Sequence, residues 1–304
     1  MIFELNKDNI DLARAEVEQL AQIKGKIYEN LLLLDKEFDY TRLSYTKNIY
    51  KFLFQCKKTE IKAKFQNFDW KNEYKNNFCI RSNETKYEKS FAKFIWEQVD
   101  NPKVKLNNSD TEINIFITKN QVIVGKHIHK REEKFHLRRP DIRPGFFPVS
   151  LKPKLARALV NLTGVQEGIV WDPFCGTGGI LIEAGLMKLT IIGTDIDKKL
   201  IELAEKNFKE YKVEGKLEIA DARKAKYKAD AIVTDPPYGR RASLHKTEIE
   251  KLYKEFLKNV YPFIDRVVLM SPNNVEIETE YNKELIATDY VHGTLTRRIF
   301  LLKK

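Results

Sequence analysis

From residue 168 onward the chain alternates short apolar runs with helical patterns, and this alternation restricts the possible folds more than any other feature. The run Gly168 to Asp172 leads directly into the glycine-rich loop Cys175-Gly176-Thr177-Gly178-Gly179. Helices are predicted at 153–162, 179–187, 198–211 and 246–260, and further strands at 190–195, 217–220, 230–234 and 266–270. The segments 284–290 and 295–302 flank His292-Gly293 and predict a closing hairpin. The sequence therefore predicts an α/β fold, with a doubly wound, Rossmann-like sheet of seven strands that ends in an antiparallel hairpin.

The first 139 residues show a different order of elements, which is typical of a small α+β region. Strands are predicted at 2–5, 27–34, 43–45, 49–56, 76–81, 112–118 and 121–125, and helices at 9–23 and 87–99. Two prolines, Pro140 and Pro144, then mark a connection between domains. We therefore place a linker at 140–150 and a second domain at 151–304, and we divide the first region at residue 50.

The composition favours a folded protein with a polyanionic partner. A hydrophobic fraction of 42% is that of a globular chain, and the net charge of +11 suits phosphate-rich partners. Lysine-rich surfaces also arise for reasons unrelated to nucleic acids. The candidate RNA contacts that lie before the linker are Lys126, Lys130, Arg131, Arg138 and Arg139.

Several classes of protein are not expected. No apolar run approaches the ~20 residues of a membrane helix, and the first residues lack the order of a signal peptide, so we expect a cytoplasmic location. Three cysteines without a CxxC pair predict neither a disulfide framework nor a zinc ribbon. His127 and His129 share a strand face, but without a third ligand we predict no metal site.

Carboxylates follow four consecutive predicted strands and indicate the cofactor. Backbone amides of Cys175 to Gly178 can approach a ligand at a helix N-terminus, and Asp195, followed by Ile196, can accept ribose hydroxyls. The glycines and Asp195 suit a nicotinamide dinucleotide equally well. Asp172, in the run Asp172-Pro173-Phe174, would repel a pyrophosphate but suits a cofactor with an ammonium and a sulfonium group. Asp221, with the Ala222 amide nearby, can accept an adenine amine, so the set predicts S-adenosyl-L-methionine.

The segment Asp235-Pro236-Pro237-Tyr238-Gly239 predicts a pocket for an amino group on a flat heterocycle. The Asp235 carboxylate and the Pro236 carbonyl can accept its N–H bonds, while the Tyr238 ring stacks on its face. A rigid turn that merely closes a strand is the structural alternative. Arg240 and Arg241 follow as candidate phosphate contacts, although surface arginines usually have no special role, and the same holds for Arg297 and Arg298.

The segments Asp172–Gly179 and Thr234–Gly239, with the run Arg143–Leu162, resemble archaeal tRNA guanosine-10 N2-methyltransferases, the Trm11-like family. The resemblance covers residues from about 140 to the last residue. It implies a class I S-adenosylmethionine-dependent methyltransferase domain that acts on tRNA at position 10, with Asp235 presented to the target guanosine. It further implies an N-terminal ferredoxin-like domain (1–50) and an RNA-binding THUMP domain (51–139). Some relatives require a small zinc-binding activator protein of the Trm112 type.

Three rival functions remain open at this point. A related THUMP enzyme methylates guanosine 6 of the acceptor stem, but its pocket often begins with Asn rather than Asp. An adenine-N6 DNA methyltransferase shares the Pro-Pro-Tyr segment, although no sequence-reading domain is evident here. A THUMP-type RNA-binding protein without activity would not need its carboxylates intact. Whether the product is mono- or dimethylated and what the oligomeric state is do not follow from the sequence.

Overall fold

The computed structural model describes residues 1–148, 150–238, 246–293 and 295–304. The chain forms two compact units, each assembled from three separated segments. The N-terminal unit comprises Met1–Asn6, Lys24–Lys36 and Thr46–Arg131, and the C-terminal unit comprises Lys7–Ile23, Glu37–Tyr45 and Glu132–Lys304. Across the described ranges, no helix combines the length and the apolar character that a bilayer crossing needs.

The N-terminal unit is a seven-stranded, mostly antiparallel sheet with two helices. Its strands follow the order β2-β3-β1-β4-β7-β6-β5, and β5 and β6 are the one parallel pair. An aromatic core that includes Phe54, Phe65 and Trp70 packs beneath the helices. The bounds are β1 Ile2–Leu5, β2 Lys26–Tyr28, β3 Leu31–Leu33, β4 Thr46–Cys56, β5 Phe78–Ser82, β6 Thr111–Ile117, β7 Val122–Lys130, α2 Ile61–Asn67 and α3 Lys86–Gln98.

Strand β4 crosses residue 50, where the sequence predicted a division between two domains. It pairs with β1 on one side and with β7 on the other, so the hydrogen-bonded sheet continues through that position. The predicted linker at 140–150 lies within the C-terminal unit and begins with a short 3₁₀ helix at Pro140–Ile142. The names ferredoxin-like and THUMP remain predictions for this region.

The C-terminal unit contains a doubly wound sheet in the order β10-β9-β8-β11-β12-β14-β13. Five strands are parallel, and the last two form an antiparallel hairpin. Its bounds are α1 Ile10–Ala21, α4 Pro153–Leu162, β8 Ile169–Asp172, α5 Gly179–Leu186, β9 Thr190–Asp195, α6 Lys198–Tyr211, β10 Lys216–Ile219, β11 Ala231–Thr234, α7 Lys246–Val260, β12 Arg266–Pro272, β13 Asn282–His292 and β14 Leu295–Lys303. The fold is the α/β class that the sequence predicted.

Local chemistry explains where these elements begin. Helix α4 starts with Pro153 in its first turn, where a missing N–H costs no helical hydrogen bond. Helix α6 is capped by Asp197, whose side chain accepts from the Lys199 amide at 2.8 Å. The central strands β8 and β11 are apolar and buried, as expected for parallel strands covered on both faces.

Helix α1 is attached to α4 by a buried polar network, although α1 lies near the start of the chain. The fully buried Glu16 carboxylate accepts from the Ser44 amide and hydroxyl, each at 2.7 Å, and from the Tyr45 amide at 2.8 Å. The Asn161 amide of α4 donates to the same carboxylate at 2.7 Å. The Arg42 Nε donates to the Asn161 Oδ1 at 2.8 Å. The segments 7–23 and 37–45 are therefore integral to the C-terminal unit.

Candidate active site

Asp172 lies at the carboxyl end of β8 and joins the two central strands. Its Oδ1 accepts from the Thr234 hydroxyl of β11 at 2.7 Å and from the Phe174 amide at 3.1 Å. The residue is 1% exposed. Burial raises the pKa of Asp172 to about 7 against these two hydrogen bonds, and the charges of Asp195 and Asp235 raise it further.

The loop after Asp172 is held by hydrogen bonds from its own backbone. The Cys175 amide donates to the Thr194 carbonyl at 3.0 Å, and the Gly176 amide donates to the Asp195 Oδ2 at 2.9 Å. Gly178 has a φ of +79°, and a Cβ there would lie 2.7 Å from Phe208 Cε1. Gly176 has a φ of +53°, but a Cβ there would meet no atom of the described residues within 4 Å. Of the two positive-φ glycines of the loop, Gly178 is thus tightly packed and Gly176 faces open space.

Two further predicted cofactor residues, Asp195 and Ile196, lie at the end of β9, close to the loop that contains Thr177. Burial raises the pKa of Asp195, whose Oδ1 accepts from the Asp197 amide at 3.0 Å, and the adjoining Ile196 is 68% exposed. Thr177 is buried, and its hydroxyl lies 3.1 Å from that of Ser150. An exposed apolar side chain beside a half-buried carboxylate suits the flat base and the ribose of a nucleoside.

Asp221 and Ala222 follow β10, but here the arrangement differs from the expectation. The Arg223 side chain donates to both carboxylate oxygens of Asp221, with Nε lying 2.9 and 3.1 Å away. This hydrogen bonding lowers the pKa of Asp221. The Ala222 carbonyl accepts from Asn259 at 3.2 Å. An adenine amine would therefore share the Asp221 carboxylate with Arg223.

The segment Asp235 to Tyr238 directly follows β11, the strand next to β8. The Tyr238 hydroxyl donates to the Asp235 carboxylate, and the fully buried Tyr253 donates to the Pro237 carbonyl at 3.3 Å. Pro236 is buried, whereas Asp235 and Tyr238 are half-buried. Burial raises the pKa of Asp235 to about 6, against the lowering effects of Arg297 and the Tyr238 hydroxyl. The carboxyl group is therefore mostly ionised at neutral pH.

Two residues of the closing hairpin, Arg297 and its partner Asp289, lie beside this segment, although the sequence predicted no special role for Arg297. The Arg297 Cζ lies 5.6 Å from the centroid of the Tyr238 ring, and its Nη1 lies 3.6 Å from the Asp289 Oδ2. The pairing depends on the β13–β14 register, which shifts at Leu285/Ala287 and again at Tyr290/His292. A sequence shows the hairpin but not the positions of such bulges, so no signal placed Arg297 opposite Asp289.

The predicted RNA contacts have different surroundings. The Arg138 guanidinium donates to both oxygens of the buried Glu183 and also contacts Glu133, which argues against a phosphate contact. The Lys126 ammonium donates to the Glu73 carbonyl at 2.7 Å and lies 3.4 Å from the Glu73 carboxylate, so it is also occupied. Lys130 and Arg139 are exposed, while Arg131 is half-buried and donates to the Thr46 carbonyl. Arg240 and Arg241 lie outside the described residues.

The site chemistry fits a cofactor with cationic groups and a nucleoside. The negative charges of Asp195 and Asp235 raise the pKa of Asp172 beyond the effect of its burial, so they disfavour its ionisation. A cation placed among them would relieve this repulsion. The open space at Gly176 provides room against the loop backbone. A dinucleotide pyrophosphate would instead add negative charge beside Asp172.

Similarity to known proteins agrees with this geometry. The family described as "RMKL-like, methyltransferase domain" matches residues 140–292, and a family described as "DNA methylase" matches residues 7–206. The crystal structure of TrmN from Thermus thermophilus aligns over 100% of this chain and 99% of its own, with a TM-score of 0.52 at 18% identity. The fold is therefore that of class I methyltransferases.

Sequence relatives narrow the class further. The chain is 33% identical to a tRNA (guanine(10)-N2)-dimethyltransferase of Methanothermobacter thermautotrophicus, over 86% of this chain and 84% of that protein. It is 40% identical to the protein of that name from Methanocaldococcus jannaschii, over 67% of this chain and 61% of that protein. The chain belongs to the family of tRNA (guanine(10)-N2)-dimethyltransferases.

Proposed function

We propose that this protein is an S-adenosylmethionine-dependent methyltransferase that forms N2-methylguanosine, N2,N2-dimethylguanosine or both at position 10 of tRNA. The observation that carries the proposal is the junction of β8 and β11. There, the Thr234 hydroxyl binds Asp172 at the start of the glycine loop, and the next residue, Asp235, begins the amine pocket. The names of the relatives support tRNA as the substrate and position 10 as the target.

The cofactor residues divide the binding of S-adenosylmethionine among themselves. Asp172 faces the ammonium and sulfonium end, Asp195 accepts the ribose hydroxyls, and Ile196 packs on the adenine. The methionine part would lie in the open space beside Gly176, since the Phe174, Cys175, Gly176 and Gly178 amides already donate to acceptors within the protein. The bound cofactor supplies an electrophilic methyl group, and the chain itself provides orientation and exclusion of water.

In the amine pocket, Asp235 acts by accepting hydrogen bonds. The lone pair of a nucleobase amine is delocalised into the ring. Hydrogen bonds from the amine to Asp235 and to the Pro236 carbonyl would orient it so that the lone pair is directed at the methyl group. Tyr238 stacks on a base that has been taken out of its helix. With a pKa of about 6, the Asp235 carboxyl group is mostly ionised at neutral pH and can accept hydrogen bonds with both oxygens.

The N-terminal unit is proposed to carry the RNA-binding role of a THUMP domain and to set the distance from the tRNA 3′ end. Lys130, Arg131 and Arg139, together with Arg240 and Arg241, are the proposed phosphate contacts. Each contact to a phosphate would release a counterion, so their loss should weaken binding of all tRNAs and flatten its salt dependence. A small zinc-binding activator protein of the Trm112 type is a proposed additional partner.

The first experiment incubates the protein with radiolabelled S-adenosylmethionine and a full tRNA transcript. A matched transcript carries adenosine in place of guanosine 10. Label in the first transcript alone supports both the chemistry and the position. Equal label in both contradicts position 10 and directs attention to guanosine 6. Label only in a parallel reaction with double-stranded DNA would contradict tRNA as the substrate. If label appears only after the zinc-binding partner is added, the activator is required.

The variant Asp235→Ala tests the pocket assignment. It removes an amine acceptor but no proposed cofactor contact, so we expect cofactor affinity within about twofold of wild type and turnover lower by about 100-fold or more. Calorimetry with S-adenosylmethionine and single-turnover labelling measure the two effects. A wild-type rate would overturn the assignment.

A further inference from the structure

The closing hairpin places a charged pair against the amine pocket. Asp289 of β13 and Arg297 of β14 are direct cross-strand partners, with 3.6 Å between the Arg297 Nη1 and the Asp289 Oδ2. Their side chains are 28% and 12% exposed, respectively. The Arg297 guanidinium also lies over the Tyr238 ring, 5.6 Å from its centroid. A cation over an aromatic face attracts the ring and restrains it.

The Asp235 carboxyl group is surrounded by a small set of ionisable groups. The Tyr238 hydroxyl donates to it, the positive charge of Arg297 lowers its pKa, and the negative charge of Asp289 raises it. Asp172 and Tyr253 also interact with it electrostatically. Lys152 interacts with Asp289. The hairpin thus contributes one cation that favours ionised Asp235 and one anion that opposes it.

We propose that Arg297 and Asp289 are a positioning pair, which restrains the Tyr238 ring and tunes the charge of the Asp235 carboxylate. The proposal rests on the proposed function of the amine pocket and adds a role for the hairpin. Neither residue needs to touch the substrate. An ionised carboxylate accepts hydrogen bonds with both oxygens, whereas a protonated one presents a donor to the amine. The state of Asp235 therefore decides whether the pocket accepts an amino group.

Opposite charges on the pair predict opposite effects of their removal. Arg297→Met removes the cation, so the pKa of Asp235 rises and the acidic limb of the kcat profile moves to higher pH by about one unit. Asp289→Asn removes the anion and frees Arg297, so the limb moves to lower pH. The loss of ring restraint in Arg297→Met should also raise KM for tRNA several-fold.

The matched control is Arg298→Met, in the next position of the same strand. Its guanidinium donates to the Pro272 and Val275 carbonyls and lies 5.1 Å from the Phe300 ring, away from Tyr238. The control removes the same net charge from the hairpin, so it measures any effect of charge or stability that is not specific to the pocket. We expect its acidic limb to coincide with that of wild type. An Arg298→Met shift equal to that of Arg297→Met would overturn the proposal.

A second readout does not depend on turnover. Carbon-13 labelling of aspartate carboxyl groups, with Asp235→Asn to assign the resonance, gives the pKa of Asp235 directly by NMR titration. We expect a value near 6 in the wild type, a higher value in Arg297→Met and a lower one in Asp289→Asn. Equal values in all three proteins, or shifts of the same sign, would overturn the positioning role.

The two readouts separate this inference from the proposed function. If the wild type labels no tRNA with or without the zinc-binding partner but the NMR shifts have opposite signs, the function is wrong and the charge-setting role of the pair stands. If the wild type labels tRNA and the shifts are absent, the function stands and the pair is only structural.

Discussion

At Asp172, folding and the proposed binding of the cofactor favour opposite charge states of the carboxyl group. Burial favours the neutral form of its carboxyl group and raises its pKa to about 7, well above the usual value near 3.9 in an unfolded chain. A cationic cofactor favours the ionised form. The ligand-free protein therefore holds a carboxylate whose ionisation lowers the stability of the fold.

We expect this conflict to appear in the pH dependence of stability. Because the folded pKa of Asp172 is raised, its stabilising contribution is complete below about pH 4 and is lost as the pH rises to about 7. The full shift corresponds to an upper bound of about 4 kcal/mol. Asp172→Asn keeps an acceptor for Thr234 and Phe174 but cannot ionise.

The measurement is the melting temperature of the ligand-free wild type and Asp172→Asn between pH 4.5 and 8. The difference between them should grow with pH, to roughly 5–10 °C in favour of the variant at pH 8. Affinity for S-adenosylmethionine should fall by about tenfold or more, because a charge contact is lost. Parallel pH curves for the two proteins would contradict this account.

Alanine substitutions at the two positive-φ glycines of the loop are expected to have different effects on stability and on cofactor affinity. Gly178→Ala adds a Cβ 2.7 Å from the Phe208 ring, so it should lower the free energy of unfolding by about 2 kcal/mol or more. The added methyl group of Gly176→Ala meets no atom within 4 Å in the part of the chain that the structure describes, so the variant costs only the backbone strain of about 1–2 kcal/mol. Its methyl group instead enters the space proposed for the cofactor.

Urea unfolding and calorimetry separate the two glycine variants. The ratio of lost affinity to lost stability should be larger for Gly176→Ala. Loss of affinity in proportion to stability in both would show that the open space at Gly176 is not the cofactor site.

At the scale of elements, the sequence predicted the bounds of those helices and strands whose ends are marked by characteristic residues. The bounds of α4, β9, α6 and α7 agree with the prediction, because proline, Asp197 and alternating apolar spacing mark them. The predicted strand at 27–34 was wrong, since Glu29 adopts a φ of +55° and folds the run into the β2–β3 hairpin. Helix α2 was missed because it has only seven residues.

The hydrogen bonds that attach α1 to α4 could not be predicted from the sequence. In the sequence, Glu16 cannot be distinguished from an exposed charged residue of an amphipathic helix. Its carboxylate accepts four hydrogen bonds in a site without solvent exposure. Glu16→Gln replaces one accepting oxygen by a donor and opposes the surrounding N–H and O–H groups. We expect a loss of about 3 kcal/mol in the free energy of unfolding of the C-terminal unit.

Asp11→Asn is the control on the same helix, because Asp11 is exposed in its first turn. It should cost below about 1 kcal/mol, since only an interaction with the helix dipole is weakened. Chemical denaturation followed by tryptophan fluorescence compares them. An equal, small cost for both variants would mean that the buried network does not stabilise the unit.

At the scale of the whole molecule, the C-terminal unit is not the contiguous domain that the sequence predicted. It contains residues 7–23 and 37–45 as well as the segment from 132 onward. A fragment of residues 140–304, cut at the predicted linker, lacks Glu16, Arg42 and Ser44 and leaves Asn161 without its partners. We expect this fragment to melt without cooperativity or at least 10 °C below the full chain.

Circular dichroism of the fragment and the full chain tests this expectation. Adding a peptide of residues 7–45 in trans should restore part of the stability if the network is the cause. A fragment that melts cooperatively at the temperature of the full chain would show that segments 7–23 and 37–45 do not contribute to the stability of the unit.

The strand order of the C-terminal sheet also determines when the enzyme can become complete on the ribosome. Strand β14 lies between β12 and β13, so β13 has no neighbour in the sheet until β14 has been synthesised. Arg297 and Asp289 meet only at that moment. A nascent chain can thus form its five parallel strands early. Asp289 and Arg297, however, can take their places beside the proposed amine pocket only when residues up to Lys303 have left the exit tunnel. Prematurely terminated chains would accordingly keep a cofactor loop and lack a finished substrate pocket.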